Sequence, residues 1–417
     1  MKCPIVLAPS AVIRYATLGL RRCYMPRAGL WSHKYHLDGR PEPNESVPHS
    51  DGYYSLNVLL GFARNPGIVA GEPYDLEAIF NAATRSLLLQ QARIYAFGMA
   101  LWAGAELGFD VPANVLAKVR DLNGDPAAAV HWTAQDIGLM LSGAVAQSRL
   151  DPAWCKIATS LRDVILTPLR APSGLFFDSG TGFRRYFASF ATQVYSCLGL
   201  YHYGEAMDDP LAVAAANACV TQLIALQGPR GEWPWLFAPG RGTVVDFYEV
   251  YAVHQHGMAP AILHHAIMHG VPGAREAMVK GFVWLFGDNE LGRTMLRPEL
   301  HLFHRSQRRS GISGSRGARG LRALTNAALN RNDEIGTARG AGRALSLEVR
   351  SYELGWILWS FGGRRDFPEL TDRPEFAAAL RAERFIDREV AEISESDVSS
   401  FEPARSGPGQ TVPWFKR

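Results

Sequence analysis

The sequence predicts an all-α fold built from helical hairpins. Three observations support this prediction. Apolar residues recur at three- and four-residue intervals from about Tyr74 onward, which is the spacing of an amphipathic helix. Glycine or proline stands at the boundaries of these stretches, and the alternation of apolar and polar residues that is typical of strands is scarce. Because the connections are mostly short, consecutive helices are expected to lie antiparallel.

The predicted helices follow one another along most of the chain. Each carries apolar residues on one face, and each is expected to bury that face against its neighbours. They cover residues 75–90, 92–107, 113–122, 133–147, 152–169, 186–207, 210–226, 246–269, 273–286, 345–360 and 374–385.

Three segments depart from the helical pattern. Residues 1–48 are rich in proline, arginine and aromatic side chains and are predicted to form an irregular N-terminal arm lying over the helical domain. Residues 305–343 are dense in arginine, glycine and serine and are predicted to form a long mobile loop. Residues 391–417 are predicted to be a flexible tail, which leaves 49–390 as the domain.

Composition limits the class of protein. Of 417 residues, 47% are hydrophobic and 20% are charged, so the chain can bury a large core. The net charge of +3 gives no overall case for a nucleic-acid partner. The 5 cysteines lack paired spacing and are expected to be free thiols in a reducing compartment. Pro4 and Pro9 interrupt the apolar N-terminus, and no apolar stretch reaches the roughly 20 residues of a membrane helix, so we expect a cytoplasmic protein.

Several turns between helices combine glycine with aromatic residues. The clearest follows a predicted helix that ends at Gln227, and it reads Gly231-Glu232-Trp233. This turn resembles the Gln/Trp-type turn of α/α-toroid proteins, and the succession of hairpins is similar to the six-hairpin glycosidases and polysaccharide lyases. The resemblance implies an α/α toroid over residues 49–390 and a carbohydrate substrate. Terpene cyclases and protein prenyltransferases share this barrel, so the resemblance supports the fold better than any activity.

The candidate catalytic residues follow this turn. Asp246 and Glu249 are three residues apart and would share one face of a helix, where two close carboxylates can act as an acid and a base. The alternative is a solvated acidic pair at a helix start. His254 and His256 are candidates for assisting acid-base chemistry or for core positions. Two residues apart on a helix, they point in different directions, so we expect no metal site.

Three further groups are candidate substrate-binding residues. Aromatic rings pack on the C–H faces of sugars, although aromatics at helical spacing are also typical of a core. The aromatic group comprises Trp233, Trp235, Tyr248 and Tyr251. A Gly-rich turn brings Asp178 together with Arg184 and Arg185, which suit an anion or a surface cap. Tyr352 and Glu353 lie within an apolar stretch, where a carboxylate must be paired or face a cavity.

The sequence favours a carbohydrate-active enzyme, either a glycoside hydrolase or a lyase or epimerase. Two alternatives stay open. One is a sugar-binding or scaffold protein of polysaccharide biosynthesis without turnover, and the other is an isoprenoid enzyme, for which the Asp-rich metal motif is lacking. We expect no cofactor. The arginines of residues 305–322 are a candidate surface for an anionic partner.

Overall fold

The computed structural model describes residues 8–38, 44–45, 50–90, 92–124, 132–311, 314–333 and 342–383. Helices dominate this part of the chain. They are α1 (Ala11–Cys23), α2 (Ser50–Ala63), α3 (Pro66–Val69), α4 (Leu76–Leu89), α5 (Ile94–Leu107), α6 (Ala113–Gly124), α7 (Ala134–Ser148), α8 (Trp154–Leu166), α9 (Phe190–Ala206), α10 (Pro210–Ala225), α11 (Ala259–Met268, continuing a π-helical turn His254–Met258), α12 (Ala274–Val283), α13 (Arg316–Leu329), α14 (Ser351–Phe361) and α15 (Pro368–Thr371), with a last helical stretch at 374–383.

Six of these helices close into an inner ring. In ring order α2, α5, α7, α9, α11 and α14 each contact the next, and α14 returns to α2. Helices α1, α4, α6, α8, α10 and α12 pack around them as an outer layer. The fold is therefore an α/α toroid, and the predicted fold class is confirmed.

Local sequence signals explain where the helices begin. The carboxylate of Asp75 accepts a hydrogen bond from the Ala78 amide at 2.9 Å and caps α4. Thr133 and Asp136 form a reciprocal capping box at the start of α7. Since these residue types precede apolar periodic stretches, the starts of α4 and α7 were predicted to within a residue.

Glycines let the inner helices approach closely. A Cβ atom on Gly199 of α9 would lie 2.7 Å from the carbonyl oxygen of Gly138 on α7, and one on Gly98 of α5 would lie 2.7 Å from that of Leu139. On the other side of the ring, a Cβ atom on Gly61 would lie 2.6 Å from the carbonyl oxygen of Gly355. Larger residues at these positions would push neighbouring helices apart.

The predicted irregular N-terminal arm contains a regular helix. Helix α1 lies within residues 1–48, and Val12, Tyr15 and Leu20 are fully buried where it packs on α14. The arm therefore contributes an outer helix of the ring. The sequence does not single out this helix, because Pro9 and Pro26 flank it and Arg14, Arg21 and Arg22 interrupt its apolar residues.

Short antiparallel strands connect the helices. They are β1 (Tyr24–Met25), β2 (Leu30–Trp31), β3 (Lys34–His36), β4 (Asn44–Glu45), β5 (Ala188–Ser189), β6 (Leu236–Ala238), β7 (Thr243–Asp246), β8 (Val250–Tyr251), β9 (Leu296–Arg297), β10 (Leu302–Phe303), β11 (Ser306–Arg309), β12 (Arg343–Leu345) and β13 (Glu348–Val349). Two small sheets matter for the site. One has the order β5-β6-β7 and the other the order β12-β11-β8.

Two sequence predictions fail in this region. The predicted helix 246–269 begins late, because β-branched Thr243, Val244, Val245 and Val250 favour strands. Thr243–Asp246 form β7 and Val250–Tyr251 form β8. The predicted mobile loop 305–343 contains β11, α13 and the first residue of β12, with the Ser315 side chain capping α13 by accepting from the Ala318 amide at 3.3 Å. Residues 312–313 and 334–341 of that segment lie outside the described residues, as does the predicted tail 391–417.

No helix in the described ranges combines the length and the apolar character needed to cross a bilayer.

Candidate functional site

A cleft lies at the end of the ring where the inner helices begin. Each inner helix supplies at least one side chain from its first two turns, and loop residues complete the wall. The cavity has a volume of about 270 Å³ and is lined by Ser50, Tyr53, Tyr54, Tyr95, Gln135, Ser189, Ala191, Tyr195, Trp235, Tyr251, His254, Met258, Arg305 and Tyr352. We call it the tyrosine cleft.

Six tyrosines give the cleft its chemical character. The rings contact one another, with centroids 4.5 Å apart for Tyr54 and Tyr352 and 4.8 Å apart for Tyr53 and Tyr95. Burial raises the pKa of Tyr54 to about 12, and burial likewise raises the pKa of Tyr195 and Tyr251. The hydroxyl groups therefore stay protonated at neutral pH and can donate or accept hydrogen bonds.

His254 lies on the π-helical turn at the edge of the cleft. Its ring packs against Phe190 and Tyr251, with centroids 4.6 Å and 5.2 Å away. The side chain is 5% exposed, and Nδ1 has no hydrogen-bond partner among the described residues. Burial, with the Arg305 charge adding to it, lowers the pKa of His254 to about 3. At neutral pH the cleft therefore holds an uncharged imidazole.

Arg305 supplies the positive charge of the cleft. Its backbone is fixed on both sides, because its carbonyl accepts from the Ala252 amide at 2.8 Å and its amide donates to the Glu348 carbonyl at 3.0 Å. The guanidinium pairs with the Glu348 carboxylate at 2.6 Å and lies 5.2 Å from the centroid of the Tyr251 ring. The sequence prediction placed Arg305 in a surface segment for an anionic partner. Its position after an apolar pair in Leu302-Phe303 was the signal of burial.

Glu353 lies beneath the cleft rather than in its wall. The side chain is completely buried, and neither carboxyl oxygen has a hydrogen-bond partner in the described part of the chain. The nearest cation is Arg305, whose Nε lies 3.8 Å from Oε1. Burial raises the pKa of Glu353 to about 8, although Arg305 and Arg350 oppose this shift. Tyr352, its neighbour in sequence, reaches the cleft itself.

The two predicted catalytic carboxylates are not on one helix face. Asp246 ends strand β7, is 1% exposed, and pairs with Arg309 at 2.6 Å. Burial outweighs that ion pair and raises the pKa of Asp246 to about 6. Glu249 lies in the connection to β8, where its carboxylate accepts from Ser306 at 2.9 Å and lies 3.4 Å from Arg319. Neither residue is among those that line the tyrosine cleft.

The predicted aromatic group divides between the core and the cleft. Trp233 and Tyr248 are 1% exposed and belong to the core, where the Arg309 guanidinium lies 4.4 Å from the Tyr248 ring centroid. Trp235 and Tyr251 line the cleft. His256 is completely buried against Phe303, with ring centroids 4.8 Å apart, and does not reach the cleft. The two histidines therefore lie in different surroundings, and the predicted assisting role of either stays a prediction.

The predicted anion-binding group, which comprises Asp178, Arg184 and Arg185, makes contacts within its own turn and with neighbouring residues outside the cleft. Asp178 pairs with Arg184 at 2.7 Å and accepts from the Thr192 hydroxyl at 2.8 Å. Arg185 lies over the Phe177 ring, 4.1 Å from its centroid, and donates to the Gly180 carbonyl at 2.8 Å. These contacts anchor the turn before α9, and none of the three residues lines the cleft.

Three of the six arginines in residues 305–322 form ion pairs within the described chain. Arg309 bridges Asp246 and Asp333, and Arg319 lies beside Glu249 with its guanidinium 5.7 Å from the Trp235 ring centroid. Since Arg305 is paired as well, three cations of the predicted basic surface hold loops around the cleft. The anionic partner stays a prediction.

Comparisons with known proteins support the fold. No family model matches the chain, and no curated protein matches it. Solved structures do. A D-mannose isomerase is 10% identical and aligns over 84% of this chain and 96% of its own, with a TM-score of 0.56. Cellobiose 2-epimerase from Bacillus thermoamylovorans B4167 is 9% identical over 85% and 99%, with a TM-score of 0.53. Unsaturated glucuronyl hydrolase from Bacillus sp. GL1 is 12% identical over 84% and 94%, with a TM-score of 0.51.

Proposed function

We propose that this α/α-toroid chain binds a carbohydrate in the tyrosine cleft and transfers a proton at one of its carbon atoms, as an epimerase, isomerase or lyase does. The observation that carries the proposal is the composition of the cleft. An uncharged imidazole, one guanidinium and six tyrosines line it, and its described wall contains no carboxylate. The neighbours of similar fold, which are named for sugar isomerisation, epimerisation and hydrolysis, support a sugar ligand.

The residues present suit proton transfer better than glycoside hydrolysis. Hydrolysis by the common mechanism needs two carboxyl groups that flank the scissile bond. Asp246 and Glu249 are bound in ion pairs outside the cleft wall, and Glu353 lies beneath it. By contrast, abstraction of a proton next to a carbonyl or carboxyl group needs an unprotonated base, which an uncharged imidazole supplies, and is helped by a cation for the developing negative charge. His254 is assigned the first role and Arg305 the second.

The tyrosines and Trp235 would hold the sugar. Protonated hydroxyls at several points of the wall can exchange hydrogen bonds with sugar hydroxyls, while the indole face of Trp235 can pack on C–H groups. Because Tyr54, Tyr95 and Tyr352 come from different inner helices, the ring itself fixes the distances between these contacts. The predicted roles of Tyr251 and Tyr352 in binding are retained in this proposal.

A sugar-binding protein without turnover is the second candidate, and one observation favours it. A general base works best when its pKa lies near the working pH, whereas burial lowers that of His254 to about 3. Such a residue accepts hydrogen bonds but holds a proton weakly. Proton transfer then depends on the negative charge that develops on the substrate beside it.

Incubation with sugars in D2O separates the candidates. Reducing sugars such as mannose and cellobiose are followed by NMR, and uronic-acid oligomers are followed by ultraviolet absorbance. Deuterium appearing at the carbon next to the carbonyl, or a new unsaturated uronate, supports proton transfer. New reducing ends without deuterium at carbon contradict it and indicate hydrolysis. Saturable binding without any conversion supports the sugar-binding candidate instead.

A further inference from the structure

A second cavity lies at the opposite end of the ring from the tyrosine cleft. It has a volume of about 280 Å³ and is formed where α1 begins, α2 has ended and the chain leaves α14. Helix α2 runs between the two sites, since Ser50 lines the cleft and Arg64 follows the last turn. At 1.5 Å per residue the two sites are about 20 Å apart. We call the second site the arginine cavity.

Three guanidinium groups line the arginine cavity. They belong to Arg64, Arg364 and Arg365, and no Asp or Glu is among the lining residues in the described chain. The Arg64 guanidinium lies on the Trp359 ring, 3.2 Å from its centroid, and its Nη1 donates to the Trp359 carbonyl at 3.1 Å. The Nε of Arg364 is buried without a hydrogen-bond partner.

The positive charge of Arg64 and Arg364 is compensated only from a distance. Burial lowers the pKa of Arg64 to about 9 and the nearby Arg364 lowers it further, while Glu106 and Glu205 oppose the shift. Burial likewise lowers the pKa of Arg364, although Asp366 and Glu205 oppose the shift from a distance. Arg64 and Arg364 are half-buried and Arg365 is exposed, so an anion in the cavity would offset the cost of removing part of this charge from water.

Ser10 provides a separate indication of a ligand. It stands at the N-cap of α1 and lines the cavity, it is 3% exposed, and its hydroxyl makes neither a capping bond nor any other hydrogen bond within the described chain. The first turn of a helix presents amides that have no partner within the helix. One of them, the Ala11 amide, already donates to the Asp372 carboxylate at 2.8 Å, whose other oxygen lies 4.0 Å from Arg365.

We propose that the arginine cavity binds an oxyanion of the phosphate class. The guanidinium groups of Arg64 and Arg364 would contact its oxygens, the Ser10 hydroxyl would donate to it, and the N-terminus of α1 would face its negative charge. The cavity has room for more than a phosphate ion. The anion is therefore free phosphate or, because of this extra room, the phosphoryl group of a small metabolite. The proposal is independent of the sugar chemistry proposed for the cleft.

Calorimetric titration of the full chain tests the proposal. Sodium phosphate is titrated at pH 7.5 against sodium chloride of matched ionic strength, into the wild type, Ser10→Ala and Arg364→Gln. Ser10→Ala removes a hydroxyl that caps nothing, so the variant is expected to fold normally. Arg120→Gln is the matched control, because Arg120 is an exposed arginine of α6 far along the chain from this cavity.

We expect saturable phosphate binding that weakens about tenfold in Ser10→Ala and in Arg364→Gln and is unchanged in Arg120→Gln, since hydrogen bonds to charged groups are worth about a factor of ten or more. Absence of saturable binding, or equal weakening in the control, overturns the proposal. Glycerol 1-phosphate identifies the source of the anion. If it binds more tightly than phosphate, the site takes a phosphorylated metabolite, and if it binds less tightly, the site takes free phosphate.

Discussion

His254 and His265 belong to the same inner helix, about three turns apart, and their surroundings are opposite in kind. His254 faces the tyrosine cleft, and its Nδ1 has no partner among the described residues. His265 lies at the other end, where its Nδ1 is 2.7 Å from the Glu205 carboxylate, which also contacts His269 at 2.9 Å. The Nδ1 atom of His254 is thus left without a partner, whereas a carboxylate holds His265 and His269.

This difference is consistent with the proposed role of His254, rather than His265, in proton transfer. Ionisable groups that satisfy one another stabilise a fold, whereas a buried group left without a partner costs stability unless a ligand completes it. Histidine, arginine and glutamate occur at both ends, so residue type alone does not distinguish His254 from His265. The two histidines differ in their hydrogen bonds.

The largest effect is expected from His254. Replacing it with Gln removes the proposed base while keeping a polar side chain of similar length, and we expect turnover of a sugar found in the D2O assay to fall about 1,000-fold. His265→Gln, at the paired end, is the matched control and should leave turnover within about twofold. The two rates are measured by NMR under the same conditions. Comparable losses in both variants would remove the distinction between the two ends.

Asp246 should affect stability rather than turnover. Asp246→Asn leaves Arg309 with a weakened partner in a buried position, and we expect a loss of about 3 kcal/mol in the free energy of unfolding at pH 8. Because burial raises the pKa of Asp246 to about 6, above its value in the unfolded chain, the wild type gains stability as this carboxyl is protonated, whereas Asn does not titrate. The loss at pH 5 should therefore be larger than at pH 8. Denaturant titration at both pH values measures it. A fall in turnover of the folded variant beyond tenfold would restore the catalytic role that the sequence suggested.

Glu353 is expected to make the sugar affinity of the cleft decrease at alkaline pH. Its pKa of about 8 means that the carboxyl is neutral below pH 8 and ionised above it, where it attracts the Arg305 guanidinium away from the sugar. We expect sugar affinity of the wild type to fall about tenfold between pH 7 and pH 9.5, because ionisation adds an opposing charge 3.8 Å from Arg305. Glu353→Gln should lack this alkaline decrease. Titration of affinity against pH in both proteins checks it, and parallel profiles would show that Glu353 does not control Arg305.

The smallest effect is expected from Glu205 at the paired end. Burial alone would raise the pKa of Glu205, but hydrogen bonds and charge from His265 and His269 lower it overall. A carboxyl with a lowered pKa contributes stability above its unfolded pKa and loses that contribution as the pH falls through the folded value. Glu205→Gln should therefore cost about 1 kcal/mol at pH 6, reduced for its partial exposure, and less at pH 3.5. Urea unfolding at the two pH values measures it, and a cost that grows on acidification would contradict the ion-pair assignment.

Much of the fold was predictable from the sequence because the signals are local. Capping residues such as Asp75 and Thr133 and the periodic apolar faces need no tertiary knowledge. The site was less accessible. Tyr54, Tyr95 and Tyr195 lie on three helices far apart in sequence, and only closure of the ring brings them together. Arg305 was assigned to a basic surface because the strand pairing that buries it joins residues distant along the chain.

A high local density of carboxylates, imidazoles and aromatics predicted only part of the candidate site. The segment around Asp246 and His254 has the richest mixture of carboxylates, imidazoles and aromatics, yet Val244, Val245 and Val250 turn its first part into strands. That change of backbone sends Asp246 to a buried ion pair with Arg309, while His254 and Tyr251 reach the cleft. The helical spacing rule was sound, but it was applied to residues that are not helical.

The glycine contacts between inner helices give the ring a fixed circumference. Gly61 against Gly355 and Gly98 and Gly199 against α7 leave no spare room at those crossings, and a Cβ atom on Gly257 would come within 2.6 Å of Trp356. Because the ring is closed, moving two of these helices apart would strain the contact between the next pair. Substitutions that change which ligands the cleft accepts are therefore expected to be tolerated best in the segments around β6, β11 and α13. The inner helices, by contrast, keep the diameter of the ring constant.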